Sequence, residues 1–496
     1  MHKLIKSLSK SEKGYFLKFA KKNALADKQY LKLFKAIDIQ EGYDEKKLKD
    51  ELKAEAFVQQ LHVAKKYLFK MIMKVLYLYE SEHSLNYKFS SDINIISNLY
   101  NRGLYKDSLK YILKSKEQAY SVEKFDCLLE LIRWEKYIVV ALSPSDISEN
   151  LEELCNEETN ILNVLSNLIH FRKLHTQMSS LMRTGGSVRA KNEESSFEKI
   201  INDPLLKSLQ CAMSYEAKLL YHQVYLIYFQ AESNDKNTYE YSKKFIEYMI
   251  TQPQRLNEFA KEYILGMVAS LSSSFNLGKY EEANSIIKNL RKFRIKSEEQ
   301  KEYIFFSTYI LQFMISIVKC EFENIESAIT EAEIQLKTIE RKENNVTQLI
   351  LYQDIFYVYF ALEKYDKSLE WLNKILSSKS EVRQDIHSIA NILNLIVHYE
   401  LNNLELLNYA VINTYRFLYK RKRLYKFEEI VLKFIRKISK TFDIKEDFRF
   451  LRSQVLKLAD DPYERIPMEY FDFISWLDSK ISGKSFLEMK KLKKDL

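Results

Sequence analysis

Apolar residues recur every three or four positions along most of this chain. In EFAKEYILGMVASLSSSF, Phe259, Tyr263, Met267, Leu271 and Phe275 stand four apart, the spacing of one helical face. In YEEANSIIKNLRKF, Ala283, Ile286, Ile287 and Leu290 keep that spacing on a second segment. Gly278, Lys279 and Tyr280 form the seam between the two, so the pattern predicts two helices joined by a tight corner. Gly278 would supply the left-handed residue that stops the first helix. Tyr280 would wedge between the helices, and the small Ala283 would let them approach closely.

The corner phrase GKYEEA (278–283) has relatives: GLYKDS (103–108), EKYDKS (363–368), NTYEYS (237–242) and, more weakly, CEFENI (320–325) and NNLELL (402–407). The third position falls at Tyr105, Tyr239, Tyr280, Phe322, Tyr365 and Leu404, with small Ser108 and Ser368 matching Ala283. Beyond a first gap of about three units, these positions recur at a period near 40, the mark of a repeat architecture. One hairpin cannot bury its apolar face alone, so neighbours stack into a continuous core.

The Gly-x-Tyr-x-x-Ala/Ser corner resembles the turn of the tetratricopeptide (TPR) family. The family's unit is shorter, about 34 residues, and its first-helix Trp and Leu-Gly pattern are missing here, with Met267 and Leu271 standing roughly in their places. The start and close of the chain are also similar to bacterial helical proteins with no activity to transfer. The expected fold is therefore all-α. It comprises an N-terminal basic helical domain (1–84), a right-handed α-solenoid of TPR-like hairpins (85–440) and C-terminal capping helices (441–496). In the first segment, helices are expected over 11–22, 29–39, 45–53 and 63–80. In DDPYERIPMEYFDFISWLDSKI, Phe471, Phe473 and Trp476 are expected to cover the last open face.

Composition agrees with helices, since 496 residues hold only 8 Gly and 5 Pro, too few for the turns of a large sheet protein. No run is long and apolar enough for a membrane span: YILQFMISIV (309–318) is the most apolar. The four cysteines, Cys127, Cys155, Cys211 and Cys320, are scattered, which suits a reducing cytoplasm. Charge is uneven. Residues 1–80 carry 18 Lys, no Arg and 10 acids, and residues 411–457 carry 14 Lys/Arg against 5 acids, although the whole chain is only +9. The stretch between these two ends is mildly acidic, so partners should be sought at the ends.

Candidate chemistry is sparse. RTGGSVRAK within the loop 183–196 lacks the second glycine of GxxxxGK[ST] and a preceding strand, so it is expected to be a mobile connection and not a phosphate cradle. His170 and His175 are five apart and would point about 140° from each other on a helix. With His222 further on and no ligand cluster in register, no metal site is expected. No Ser/His/Asp, Cys/His or paired-carboxylate arrangement can be placed, so neither catalysis nor a cofactor is expected.

Two basic stretches remain. YRFLYKRKRLYKFEE (415–429) interleaves aromatics with Arg416, Lys420, Arg421, Lys422, Arg423 and Lys426, a pattern that serves an acidic protein, a nucleic acid or a solvated helix end. Residues 43–72 outline two helices, the second with Lys65, Lys66 and Lys70, as in a helix-turn-helix. The absence of arginine there weighs against base reading.

The expected function is a non-catalytic scaffold holding a protein or peptide partner in the groove of the array. The resemblance to TPR arrays implies groove residues at Ser272, Asn276, Gln353 and Tyr357. The alternative is a nucleic-acid-associated regulator, using the basic N-terminal domain and the 415–426 run.

Overall fold

The computed structural model describes the chain except residues 23–24, 82–84, 143–146, 186–196, 233, 296, 340–345, 379–383, 422, 439–443, 459–460, 462–463, 465 and 495–496, and except some side chains beside these. The chain is 85% helix, and no strand occurs among the described residues. The helices pack in neighbouring pairs.

The N-terminal helices run Lys10–Lys22, Leu25–Ile39, Glu45–Glu51 and Leu61–Ser81, close to the periodicity reading. Their apolar stripes meet in a core of Phe16, Phe34, Leu48, Leu68 and Ile72, with Phe16 and Phe34 stacked at 4.4 Å between ring centres.

Two compact units emerge: residues 1–173 with 208–218, and residues 174–207 with 219–496. In the first, the core of helices Leu85–Asn101, Tyr105–Ser121 and Phe125–Leu142 is built from Phe89, Ile96, Ile112, Leu128 and Ile132. In the second, helices Ala260–Asn276, Tyr280–Lys292 and Glu298–Lys319 share one core, and Val346–Ala361, Tyr365–Leu376, Gln384–Glu400 and Leu404–Lys420 build another, to which the opposite side of Glu298–Lys319 also contributes. The loop expected over 183–196 begins at the end of helix Ile147–Gly185, and its residues 186–196 lie outside the described ones.

Four of the predicted corners, at Gly103, Gly278, Glu363 and Asn402, share one chemistry. Gly103 and Gly278 have φ near +72°, where a Cβ would crowd the following carbonyl. At Gly278, the Lys279 N–H donates to the Ser274 carbonyl at 2.8 Å, which satisfies an orphan carbonyl of the ending helix. The same bond recurs as Leu104 to Leu99, Lys364 to Tyr359 and Asn403 to His398. The ring that opens the second helix rests on a ring five residues earlier: Tyr105 on Tyr100, Tyr280 on Phe275 and Tyr365 on Phe360, at 5.2–5.9 Å. Four residues after the helix N-cap, Ser108, Ala283 and Ser368 are fully buried. Ser108 Oγ donates to the Ile96 carbonyl and Ser368 Oγ to the Phe356 carbonyl, each twelve residues back, so the small side chain also ties the two helices together.

Three corners depart from the phrase alignment. In NTYEYS the turn lies four residues earlier, because helix Asp235–Ile250 is capped by the Asn234 side chain, which accepts from the Asn237 N–H. Tyr239 therefore sits inside the helix, where it donates to Glu282 at 2.6 Å and its ring lies under Lys279. In CEFENI both Cys320 and Asn324 are left-handed and the helix starts only at Ile325, so Phe322 lies in the turn and not on the helix. A corner that the alignment passed over stands at Glu123, φ 54°, with the Lys124 N–H donating to the Ala119 carbonyl and Phe125 opening the next helix.

The C-terminal helices Ile466–Tyr470, Phe473–Ser482 and Phe486–Lys494 do more than close an end. Phe471, Phe473 and Trp476 are buried, but Phe471 packs on Phe360 and Tyr357, at 4.9 and 5.5 Å, and stacks on Phe486. Trp476 Nε1 donates to Glu400 at 2.6 Å. The tail thus folds back onto helices more than seventy residues earlier.

Candidate functional site

Helix 346–361 is apolar on every side, with Leu349, Leu351, Ile355, Phe356, Val358 and Phe360 all buried. Such a helix needs cover all round, and the C-terminal helices supply it. Gln353 and Tyr357, one turn apart on it, are consequently buried and do not line an open groove. Tyr357 meets Phe471 and Phe486 and accepts from Lys490 Nζ at 2.9 Å. Burial, with the nearby Asp472 charge adding to it, holds its hydroxyl well above the usual range. Both amide atoms of Gln353 are shielded and lack a hydrogen-bond partner.

The other two groove candidates lie on helix 260–276, separated from the first pair by helix 298–319. Ser272 is half-buried and Asn276 is exposed. Asn276 Nδ2 donates to Asp235 at 2.8 Å and so links neighbouring pairs. The four residues therefore do not form one open surface.

The basic run has a different setting. Helix 404–420 buries Leu407, Val411, Thr414 and Leu418, a single stripe. Advancing about 100° per residue, Tyr415, Tyr419, Ile412 and Tyr409 occupy a second arc of about 120° beside that stripe. These four are exposed, Tyr409 at 73% and Tyr419 at 68%, and Tyr415 stacks on Tyr419 at 6.0 Å. Arg416 and Lys420 stand on the same side, and Arg421, Arg423 and Lys426 follow. None of these five cations forms a direct ion pair with a described carboxylate, although the Arg423 charge acts on the buried Glu428. Arg421 lies over the Phe417 ring at 4.6 Å. Lys422 lies outside the described residues.

The N-terminal lysines are more fully engaged. Lys65, on the helix that would enter a groove of DNA, pairs with Glu45 at 2.7 Å, and Lys13 pairs with Asp38 at 2.7 Å. Lys66 and Lys70 remain exposed.

Two buried carboxylates sit where helix Lys426–Ile438 begins. Glu464 accepts from the Lys426 and Phe427 N–H groups at 3.1 and 2.8 Å. Glu428 accepts from the Tyr425 N–H at 3.2 Å. Burial pushes Glu428 up to about 7 despite the main-chain N–H groups of Glu428 and Tyr425, and the Glu464 charge adds to the rise. This arrangement anchors the end of the basic run. The sequence reading passed over it, and the signal present was the spacing of Tyr425 and Glu428, a helix-start pattern.

His222 is buried among Tyr221, Phe245 and Tyr248, with neither ring nitrogen hydrogen-bonded. Burial, then the Lys244 charge, lowers it to about 4, so it is a neutral core residue. No group of three metal-ligating side chains occurs among the described residues, and no described helix is long and apolar enough to cross a membrane. No family model, curated protein or solved structure matches the chain.

Proposed function

We propose that the chain is a non-catalytic scaffold built as an α-solenoid of TPR-like hairpins, and that it holds an acidic protein segment on the outer face of helix 404–420. The observation that carries this is the arc of Tyr409, Ile412, Tyr415 and Tyr419 beside Arg416, Lys420 and Arg421, which form no ion pair with a described carboxylate. Exposed rings offer large contact area for little lost rotamer freedom, and unpaired cations steer an acidic partner and set its register. The reading moves the binding surface away from the first-helix groove, where Gln353 and Tyr357 are covered.

A nucleic acid is the second reading, since rings and cations are interleaved here too. The pairing of Lys65 with Glu45 leaves the N-terminal helices less to contribute to it. Fluorescence anisotropy separates the two. A labelled acidic peptide with two aromatic anchors is expected to bind the full chain more tightly than a single-stranded or duplex oligonucleotide at physiological salt. Preference for the oligonucleotide, with a steep fall in affinity as salt rises, would replace the first reading by the second.

A further inference from the structure

Helix 346–361 meets helices 298–319, 444–458 and the C-terminal helices around a cavity of about 740 Å³, within the size range of small-molecule sites. Met314, Val318, Leu456, Phe471, Met489 and Leu492 give it apolar walls. Its charged groups are matched to one another with one exception. Arg452 pairs with Asp478, and Lys493 and Lys490 pair with Asp472 at 3.2 and 3.7 Å. Glu469 and Tyr470 have partners as well. Asp354, on the wall formed by helix 346–361, has none, and its Oδ2 is shielded from solvent without a hydrogen bond.

We propose that this cavity binds an ammonium group carried on an apolar body, with Asp354 as its counter-ion. A carboxyl oxygen shielded without a donor loses its hydration with nothing in return. An ammonium ion offers three donors and a charge, and a charge-assisted bond in a water-poor site is among the stronger ones available. The apolar walls take the rest of the ligand. A carboxylate ligand finds no free cation, because those lining the cavity are already paired. A neutral alcohol gains the walls but supplies only one weak donor. The ammonium can come from a free amine or from the amino terminus of a peptide, and both present the same chemistry.

Isothermal titration of the full chain with n-hexylamine, 1-hexanol and hexanoate tests this. Hexylammonium is expected to bind at least tenfold more tightly than hexanol, and hexanoate to give no measurable binding. Asp354→Asn keeps the shape of the side chain but cannot become a counter-ion, so it should fold about as well as the parent, and it is expected to abolish the preference for the amine. Asp366→Asn, outside the cavity, should leave the preference unchanged. Leu-Leu-Phe with a free amino terminus, set against its acetylated form, assigns the source within a positive result: a peptide end if only the free form binds, a small amine if neither does. Equal affinities for hexylamine and hexanol, a preference that survives Asp354→Asn, or no binding of hexylamine would overturn the proposal.

Discussion

Lys490 Nζ donates a hydrogen bond to the Tyr357 hydroxyl at 2.9 Å, joining residues 133 positions apart. The contact lies at the centre of the fold-back, beside Phe471 and Phe486. There Phe471 and Phe486 cover Tyr357 and Phe360 on the side of the helix that they face.

The fold-back should be structural. Phe471→Ala is expected to cost about 3–5 kcal/mol by opening a void among Phe356, Phe360 and Phe486. Lys490→Met removes one donor from the buried Tyr357 hydroxyl, which keeps a main-chain bond to Asp472, and should cost about 1–2 kcal/mol, whereas the same change in a Tyr357→Phe background should cost clearly less. Denaturant unfolding of the four chains measures that coupling, and strictly additive effects would show that the bond contributes nothing.

The left-handed corners can be separated by their side chains. Gly278 has open space around it, so its cost on substitution is conformational, and Gly278→Val should lose about 1–2 kcal/mol. Glu363 bears the same strain at φ 56°, so Glu363→Gly should gain a few tenths to about 1 kcal/mol. Glu123→Gly should show no such gain, because the Glu123 carboxylate accepts from the Tyr215 N–H at 2.9 Å. Thermal midpoints of the three variants check the ordering.

Gly266 is a glycine of the other kind. A Cβ there would lie 2.7 Å from Phe245 Cδ1, where helix 235–250 crosses helix 260–276. Gly266→Ala should therefore destabilise by about 1–3 kcal/mol through overpacking, even though alanine favours a helix by about 1 kcal/mol. A stabilised Gly266→Ala chain would mean that the two helices are not in this close contact.

Two buried groups set opposite pH dependences. Glu428 is raised from the ordinary carboxyl range to about 7 in the folded chain. Its favourable contribution is complete below about 4.5 and lost as pH rises towards 7. Glu428→Gln should then be neutral near pH 4.5 and stabilising at pH 8, by up to roughly 3 kcal/mol. His222 is lowered to about 4, so the folded chain loses stability as pH falls from about 6.5 towards 4. The advantage of His222→Leu should grow over that interval by a similar amount. Urea midpoints across pH 4–8 report both, and flat differences would contradict the burial of these groups.

The helices and their corners were legible because their causes are local: 3.6-residue periodicity, a glycine at positive φ and an aromatic on the next turn. The NTYEYS phrase misled because Asn234 caps the second helix four residues before the position that the phrase marks. Glu123 escaped although EKFD (123–126) nearly repeats EKYD (363–366), because Leu128 stands where the phrase has a small Ala or Ser. The fold-back was readable in principle, since VTQLILYQDIFYVYFA has a single charge and no polar face, which calls for a third layer. Which distant segment supplies that layer is decided by long-range packing of Phe471 and Phe486, and no spacing encodes it. The basic run was visible as composition, but its lack of carboxylate partners is a property of the folded surface.

The exposed arc of helix 404–420 can be probed directly. A photo-crosslinking amino acid placed at Tyr409 or Tyr419, with an exposed control at Glu281, should be irradiated in native lysate with and without nuclease. Discrete protein adducts are expected from 409 and 419 but not from 281. They should be unchanged by nuclease and lost when Arg416, Arg421 and Arg423 are all replaced by Gln. Adducts to nucleic acid, adducts that vanish with nuclease, or equal adducts from 281 would contradict the assignment of this face to an acidic protein partner.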